Sequence, residues 1–222
     1  QPLHAFDYSV SGSEIKVKSD IDGVDFITLD GENRIIKNGQ LMICNSTKPM
    51  CIAGVFGGEQ SGVSEDTKDI FLESAYFNPV SVRKTSKNHS LKTDASYRFE
   101  RGVDPELTVR ALQRAANLII EVAGGEIASE IQDVVTENKK PFEVEFSYSR
   151  CNNLIGSNLP KDKIKGVLKS LEIDIVKETE DTLSLKVPAY RVDVQRECDV
   201  IEDILRVYGY NSVPVPASLK SS

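Results

Sequence analysis

The sequence predicts an α+β protein: a mixed-sheet domain followed by a small winged-helix-like α+β module. Three observations carry this. Between Ile15 and Ser74, short β-favouring runs alternate with turn residues. Two stretches with helix start signals follow, and residues 142–209 then condense helix, helix, hairpin and helix. The 222 residues, 40% of them hydrophobic, suffice for real cores in one large or two small domains.

In order, Ile15 to Lys18 alternates as a strand, and Phe26 to Leu29 is a β-favouring run. Asp30-Gly31 is a two-residue hairpin signal ahead of Arg34-Ile35-Ile36. Further strands are expected at Leu41 to Cys44, Cys51 to Phe56 and Ile70 to Ser74. Asn78-Pro79, a cap residue followed by a proline suited to the first helical position, opens a polar helix toward His89. Asp104-Pro105 repeats the signal, and Leu112, Ala115, Ala116, Leu118, Ile119, Val122 and Ala123 recur at helical spacing until Gly124-Gly125. Ile127 to Val135 reads as a strand, and the polar run to Pro141 marks the domain boundary, giving domains at 1–137 and 138–214 and a tail at 215–222. In the second domain Phe142, Val144 and Phe146 alternate, a helix around Tyr148 to Ile155 ends at Gly156, and Ile164, Val167, Leu168 and Leu171 line another. Strands at Ile173 to Lys177 and Leu183 to Val187 precede an amphipathic helix with Val200, Ile201, Ile204, Leu205 and Tyr208 inward, stopped at Gly209.

Lys plus Arg number 27 against 34 Asp plus Glu, a formal charge of −7, which argues against a broad, charge-driven binder of nucleic acid or acidic membranes. No apolar run approaches the roughly 18 to 20 residues of a membrane span. The opening Gln1-Pro2-Leu3-His4 has neither an initiator Met nor a signal-peptide pattern and reads as a cut inside a longer protein. Cys44, Cys51, Cys151 and Cys198 form no C-x-x-C pair and read as isolated cytosolic thiols, which places the chain in the cytoplasm. His4 and His89 alone exclude a His-rich zinc site.

Four features invite chemistry, each beside a plainer account. Ala53-Gly54-Val55-Phe56-Gly57-Gly58 follows an apolar strand and lets backbone approach a ligand closely, or is simply a tight turn; it is not a phosphate loop. Glu73 sits in an apolar strand, where an inward carboxylate needs a partner and an outward one needs nothing. Between Arg83 and Arg101, six cations (Arg83, Lys84, Lys87, Lys92, Arg98, Arg101) face two acids, a place for a phosphate backbone or a solvated helix face. Asp199, Glu202 and Asp203 share a helical face with Asp193 just upstream, an oxygen set suited to magnesium or a helix-dipole complement.

Gln1-Pro-Leu-His-Ala-Phe6, Ala53 to Gly58, Leu72-Glu-Ser-Ala-Tyr-Phe-Asn-Pro79, Thr93 to Pro105 and Arg206-Val-Tyr-Gly-Tyr210 together resemble the bacterial phenylalanine-tRNA ligase β subunit. The resemblance implies that residues 1 to about 137 are most of an editing domain, N-terminally truncated, and 138–214 a winged-helix-like module contacting an α subunit. It also implies work on tRNA(Phe) in a tetramer of two α and two β chains. ATP and phenylalanine would be bound by the α subunit, so this chain would not aminoacylate. Its task would be hydrolysis of misacylated tyrosyl-tRNA(Phe), or, if it has no catalysis, tRNA docking and subunit packing.

The same resemblance makes Glu73 the acceptor for the tyrosyl hydroxyl. Gly54 and Gly57 then line the pocket, Thr93 and Ala95 shape its wall, and His4 stands near the ester to be cleaved. Asp193, Asp199, Glu202 and Asp203 match magnesium ligands shared with the α subunit, Asp203 standing where the family more often has Glu. Ser90 stands where relatives often have Gly.

Overall fold

The computed structural model describes residues 1–136 and 139–214. The chain divides into two compact units, Gln1–Thr136 and Glu137–Ser222. The tail expected at 215–222 lies outside the described residues.

The first unit opens with β1 (Leu3–Asp7) and a single-turn α1 (Tyr8–Ser11), capped by the Asp7 side chain accepting from the Ser9 amide. Then come β2 (Lys16–Lys18), β3 (Val24–Ile27), β4 (Asn33–Ile36), β5 (Met42–Cys44), β6 (Pro49–Ile52), β7 (Phe56–Gly57) and β8 (Ile70–Ser74). β2, β5, β6 and β7 form one sheet in that order, β3 and β4 a hairpin turned at Asp30-Gly31, and β1 and β8 a two-stranded ribbon. The expected mixed sheet is corrected: every strand pairing among the described residues is antiparallel. Short turns join most neighbours in the four-stranded sheet, and a parallel pair would need a long crossover instead.

β1 was not expected, because Leu3-His4-Ala5-Phe6 carries bulk on both faces and so lacks the apolar–polar alternation of a half-buried strand. Its register with β8 pairs His4 with Glu73 and Phe6 with Phe71 on one face, and Leu3 with Ser74 and Ala5 with Leu72 on the other. Phe6 is fully buried in a core with Ile36, Met42, Met50 and Ile52. On the other face the Ser74 hydroxyl donates to the Thr108 carbonyl at 2.7 Å.

α2 (Pro79–Asn88) begins as expected, the Asn78 side chain accepting from the Val80 and Ser81 amides. Ser90, just past its end, holds a left-handed φ of 54°. α3 (Asp94–Phe99) is a short helix opened by a capping box between Thr93 and Ser96. α4 (Thr108–Ala123) packs on β8 but contains no fully buried residue, and Leu118 and Val122 are 45% and 84% exposed. The strand expected at Ile127–Val135 is a correction: this stretch is exposed and pairs with nothing, Val134 being 85% accessible. β-branched residues make a strand only where a neighbour supplies the ladder.

The second unit runs β9 (Phe142–Ser147), α5 (Tyr148–Ile155), α6 (Lys161–Ser170), β10 (Asp174–Glu178), β11 (Thr182–Val187) and α7 (Glu197–Tyr208). This is the expected helix, helix, hairpin, helix order, with β9 pairing antiparallel to β11 to give the sheet order β10-β11-β9. The Ser147 side chain caps α5, which ends on Gly156 at a φ of 76° that a side chain would strain. Phe146, Cys151, Ile164, Leu168, Leu183, Leu185, Val200 and Ile204 interlock as its core.

Candidate functional site

The β1–β8 register sets the site. It puts the Glu73 side chain on the face of the ribbon that carries His4 and Phe6, directly across the ladder from His4. Burial pushes the Glu73 carboxyl up from 4.5 to about 7. Among the described residues no hydrogen bond or ion pair engages it. A carboxyl kept half neutral at physiological pH, without a partner, is a group waiting for a donor.

His4 is held by packing. Its ring lies 4.3 Å, centroid to centroid, from that of Phe6. Gly57 of β7 lies flat against it: a Cβ there would stand 2.7 Å from His4 Cε1 and 2.9 Å from Leu29 Cδ1. The absence of a side chain at Gly57 therefore makes room for the imidazole. His4 Nε2 is buried and has no hydrogen-bond partner, and burial lowers the ring's pKa, keeping it neutral near pH 7. Gln1 adds a second buried atom without a partner, Oε1, while its Nε2 donates to the Ala75 carbonyl at 2.6 Å.

Cys51, paired with Gly57 in the β6–β7 register, feels the charge of this acid. Burial pushes it well up, and the Glu73 charge adds to the shift, so it is no thiolate nucleophile. The sequence assigns Cys51, Leu29 and Gln1 no role in the site: Gln1 stands in the opening motif, Cys51 among the isolated thiols and Leu29 at the end of a β-favouring run.

The other expected pocket residues form an adjoining group. Gly54, at a φ of 68°, lies against aromatic rings: a Cβ would meet Phe77 at 2.8 Å and Phe99 at 3.1 Å. It lets α2 and α3 close on the glycine turn and does not face His4. The Thr93 hydroxyl donates to the Val55 carbonyl at 2.7 Å, tying the start of α3 to that turn. Ala95 is half-buried against the same core. The structure thus joins His4, Glu73 and Gly57 directly, with Gly54, Thr93 and Ala95 one layer behind.

The carboxylates of the second unit are occupied by arginines. Asp203 is buried and bound to Arg191 at 2.5 Å, with Arg206 at 3.4 Å. Asp199 bonds the Arg196 guanidinium at 2.9 Å and accepts from the Arg196 and Gln195 amides, which holds its pKa down at about 2. Glu202 pairs with Arg206 at 2.8 Å, while Asp193 is exposed. Among the described residues no three His, Cys, Asp or Glu side chains come together as a metal site. The four expected magnesium ligands are thus not gathered into one donor set among the described residues: guanidinium groups, which spacing along α7 did not reveal, pair with Asp199, Glu202 and Asp203.

A family model described as the B3/4 domain matches residues 1–124. The chain belongs to this B3/4 domain family. A second model, the tRNA synthetase B5 domain, matches residues 144–210. The B3/4 match ends one residue past α4, and the B5 match runs from β9 through α7. The exposed stretch at 125–136 belongs to neither.

Over its whole length the chain is 54% identical to the phenylalanine–tRNA ligase β subunit of Bacteroides fragilis (strain YCH46). It is 48% identical to that of Porphyromonas gingivalis, again over all of this chain. For Desulfotalea psychrophila the identity is 47% over 99% of the chain. The chain spans 27% of the length of each of these relatives. Among solved structures, an N-terminal fragment of the phenylalanyl-tRNA synthetase β-subunit from Pyrococcus horikoshii is similar, with a TM-score of 0.47 and 18% identity, over 94% of this chain and 60% of that one. The resemblance carried by the motifs is thereby shown, and the B3/4 domain is the part that holds His4, Glu73 and Gly57.

Proposed function

We propose that the B3/4 domain of this chain is an editing site that hydrolyses tyrosyl-tRNA(Phe), within a longer phenylalanine–tRNA ligase β chain working with an α chain. The observation that carries this is Glu73, an acid raised by burial and lacking a partner, placed across from His4. A pocket shaped for phenylalanine rejects tyrosine poorly, because an added hydroxyl costs little in an apolar site. Glu73 reverses the preference. A tyrosyl hydroxyl donates to it, while phenylalanine leaves it buried and unsatisfied, a difference of about 1–3 kcal/mol or more for a charged acceptor.

Among the described residues, two candidate nucleophiles of this unit are disqualified. Cys51 is a buried thiol, and the Ser61 hydroxyl is spent on the Met50 carbonyl at 2.8 Å. Hydrolysis then falls to water, oriented by neutral His4 through Nε2 and held by proximity to the bound ester. Activation of phenylalanine and use of ATP belong to the α chain in this reading, in a tetramer of two α and two β chains acting on tRNA(Phe) in the cytoplasm. The magnesium expected on α7 has no assembled donor set, and no step passes through it.

The test is deacylation of tyrosyl-tRNA(Phe) by the complete enzyme carrying Glu73→Ala. Tyrosine-selective deacylation is expected to fall about tenfold or more, from the value of a lost charged acceptor; unchanged rejection of tyrosine sinks the role given to Glu73. The second reading, a docking and packing element without catalysis, is favoured by the exposed cations of residues 83–101. Tight, salt-dependent tRNA binding by the chain, with no deacylation in the complete enzyme, would establish it instead.

A further inference from the structure

The basic stretch between α2 and α3 is the feature that the editing reading leaves unused. α2 buries Val82, Thr85 and Ser86 and turns Arg83, Lys84 and Lys87 outward. α3 buries Ser96 and Phe99 and turns Tyr97 and Arg98 outward, Tyr97 being 58% exposed. The two helices pack together, and the Arg83 guanidinium donates to the Glu100 carbonyl at 2.9 Å, so the two outward faces are fixed beside each other. Arg101 lies over the Tyr97 ring, its Cζ 3.5 Å from the centroid, and pairs with Glu100. Lys84, Lys87, Lys92 and Arg98 are exposed and have no hydrogen-bond or ion-pair partner among the described residues. Of the acids in the stretch, Glu100 is neutralised by Arg101, leaving Asp94 alone.

From this we infer that the α2–α3 face holds the single-stranded acceptor end of the tRNA, phosphates on Lys84, Lys87, Lys92 and Arg98 and a base on the Tyr97–Arg101 stack. Four free cations on a chain of net charge −7 form a local positive focus with no internal use. An exposed aromatic ring already paired with a guanidinium is the platform on which an unstacked base settles, whatever its identity. The position is also right. Thr93, which opens α3, bonds the Val55 carbonyl of the same glycine turn whose Gly57 abuts His4. With the tyrosyl hydroxyl on Glu73 and the ester at His4, this turn connects the ester end of the site to the start of α3.

This inference rests on the editing reading, so the test separates the two. In the complete enzyme, Lys84→Glu/Lys87→Glu, Arg98→Glu and Tyr97→Ala are compared by KM and kcat for deacylation of tyrosyl-tRNA(Phe) between 50 and 200 mM salt, conditions over which phosphate contacts weaken strongly. Each lost phosphate contact is expected to raise KM several-fold and reduce the salt slope of log(kcat/KM) by about 1. Tyr97→Ala is expected to raise KM by about fivefold or more, as loss of one base stack does, and Tyr97→Phe to restore it. Lys177→Glu, an exposed reversal on β10, is the control and leaves the slope in place. Variants with wild-type melting temperature but unchanged KM and slope overturn the inference while leaving editing intact. If the wild-type enzyme does not deacylate, the editing reading falls alone; anisotropy with an acceptor-stem minihelix then decides the surface, and equal affinity and salt slope across the variants overturn it.

Discussion

Glu73 makes a testable statement about acidity. Its folded pKa of about 7 lies above the ordinary 4.5, so the fold favours the neutral acid. The stability that comes from keeping it neutral is complete below pH 4.5 and lost as pH rises through 7. Glu73→Gln removes the ionisation, and urea denaturation is expected to show the variant gaining on the wild type between pH 5 and 8. The ceiling is roughly 3 kcal/mol at 1.36 kcal/mol per pK unit. Under the proposed editing role, selectivity is expected to move the opposite way: in the complete enzyme, tyrosine-specific deacylation should rise from pH 6 to 8 as Glu73 becomes the stronger acceptor, and a flat profile contradicts that role. Ser90 makes a simpler statement. Its left-handed φ of 54° suits glycine better than a residue with a Cβ. Ser90→Gly is expected to stabilise the chain by about 1 kcal/mol, the relief of a side chain in that region, measured as a raised midpoint of denaturation.

Among the elements, α7 shows how a carboxylate row can be spent on packing. Asp203 is 5% exposed, and its partner Arg191 enters from the loop before the helix, pinning α7 to the chain that precedes it. Arg191→Met leaves the buried Asp203 with only the more distant Arg206 and is expected to cost at most about 3–5 kcal/mol in chemical denaturation. Adding Asp203→Leu should recover most of that loss, since two apolar groups replace the pair; a double variant no better than the single would show that the pair contributes otherwise. The α7 acids also mark where sequence reading stopped. Their spacing along the helix was legible, but the guanidinium groups that occupy them are set by three-dimensional packing. Elements with local punctuation were legible: Asn78-Pro79 located α2 and Asp30-Gly31 the β3–β4 hairpin. α3 was missed because its capping box closes with Ser96 instead of Glu or Gln. Ile127–Val135 was read as a strand because propensity says nothing of an absent neighbour. Glu73 stood out as an acid among apolar residues, yet its pairing with His4 became visible only with the β1–β8 register.

Across the molecule, two separate hydrophobic cores carry the fold, and the apolar side chains outside them are exposed at Leu118, Val122, Ile127, Val134 and Val135. Val122, at 84% exposure, supports neither core. Val122→Lys in this 222-residue chain is therefore expected to change stability by no more than about 0.5 kcal/mol, read by thermal melting. The ribbon that joins His4 to Glu73 has one more consequence, in time. Its partners come from opposite ends of a long stretch of chain, so the strands meet only after a large loop has closed, and that entropy is lost before any contact repays it. The hairpins between them can form locally and early; the acid and the imidazole cannot. During refolding, sheet signal should therefore rise before His4 and Glu73 meet, and a nascent chain that has not yet emitted β8 cannot hold the two face to face.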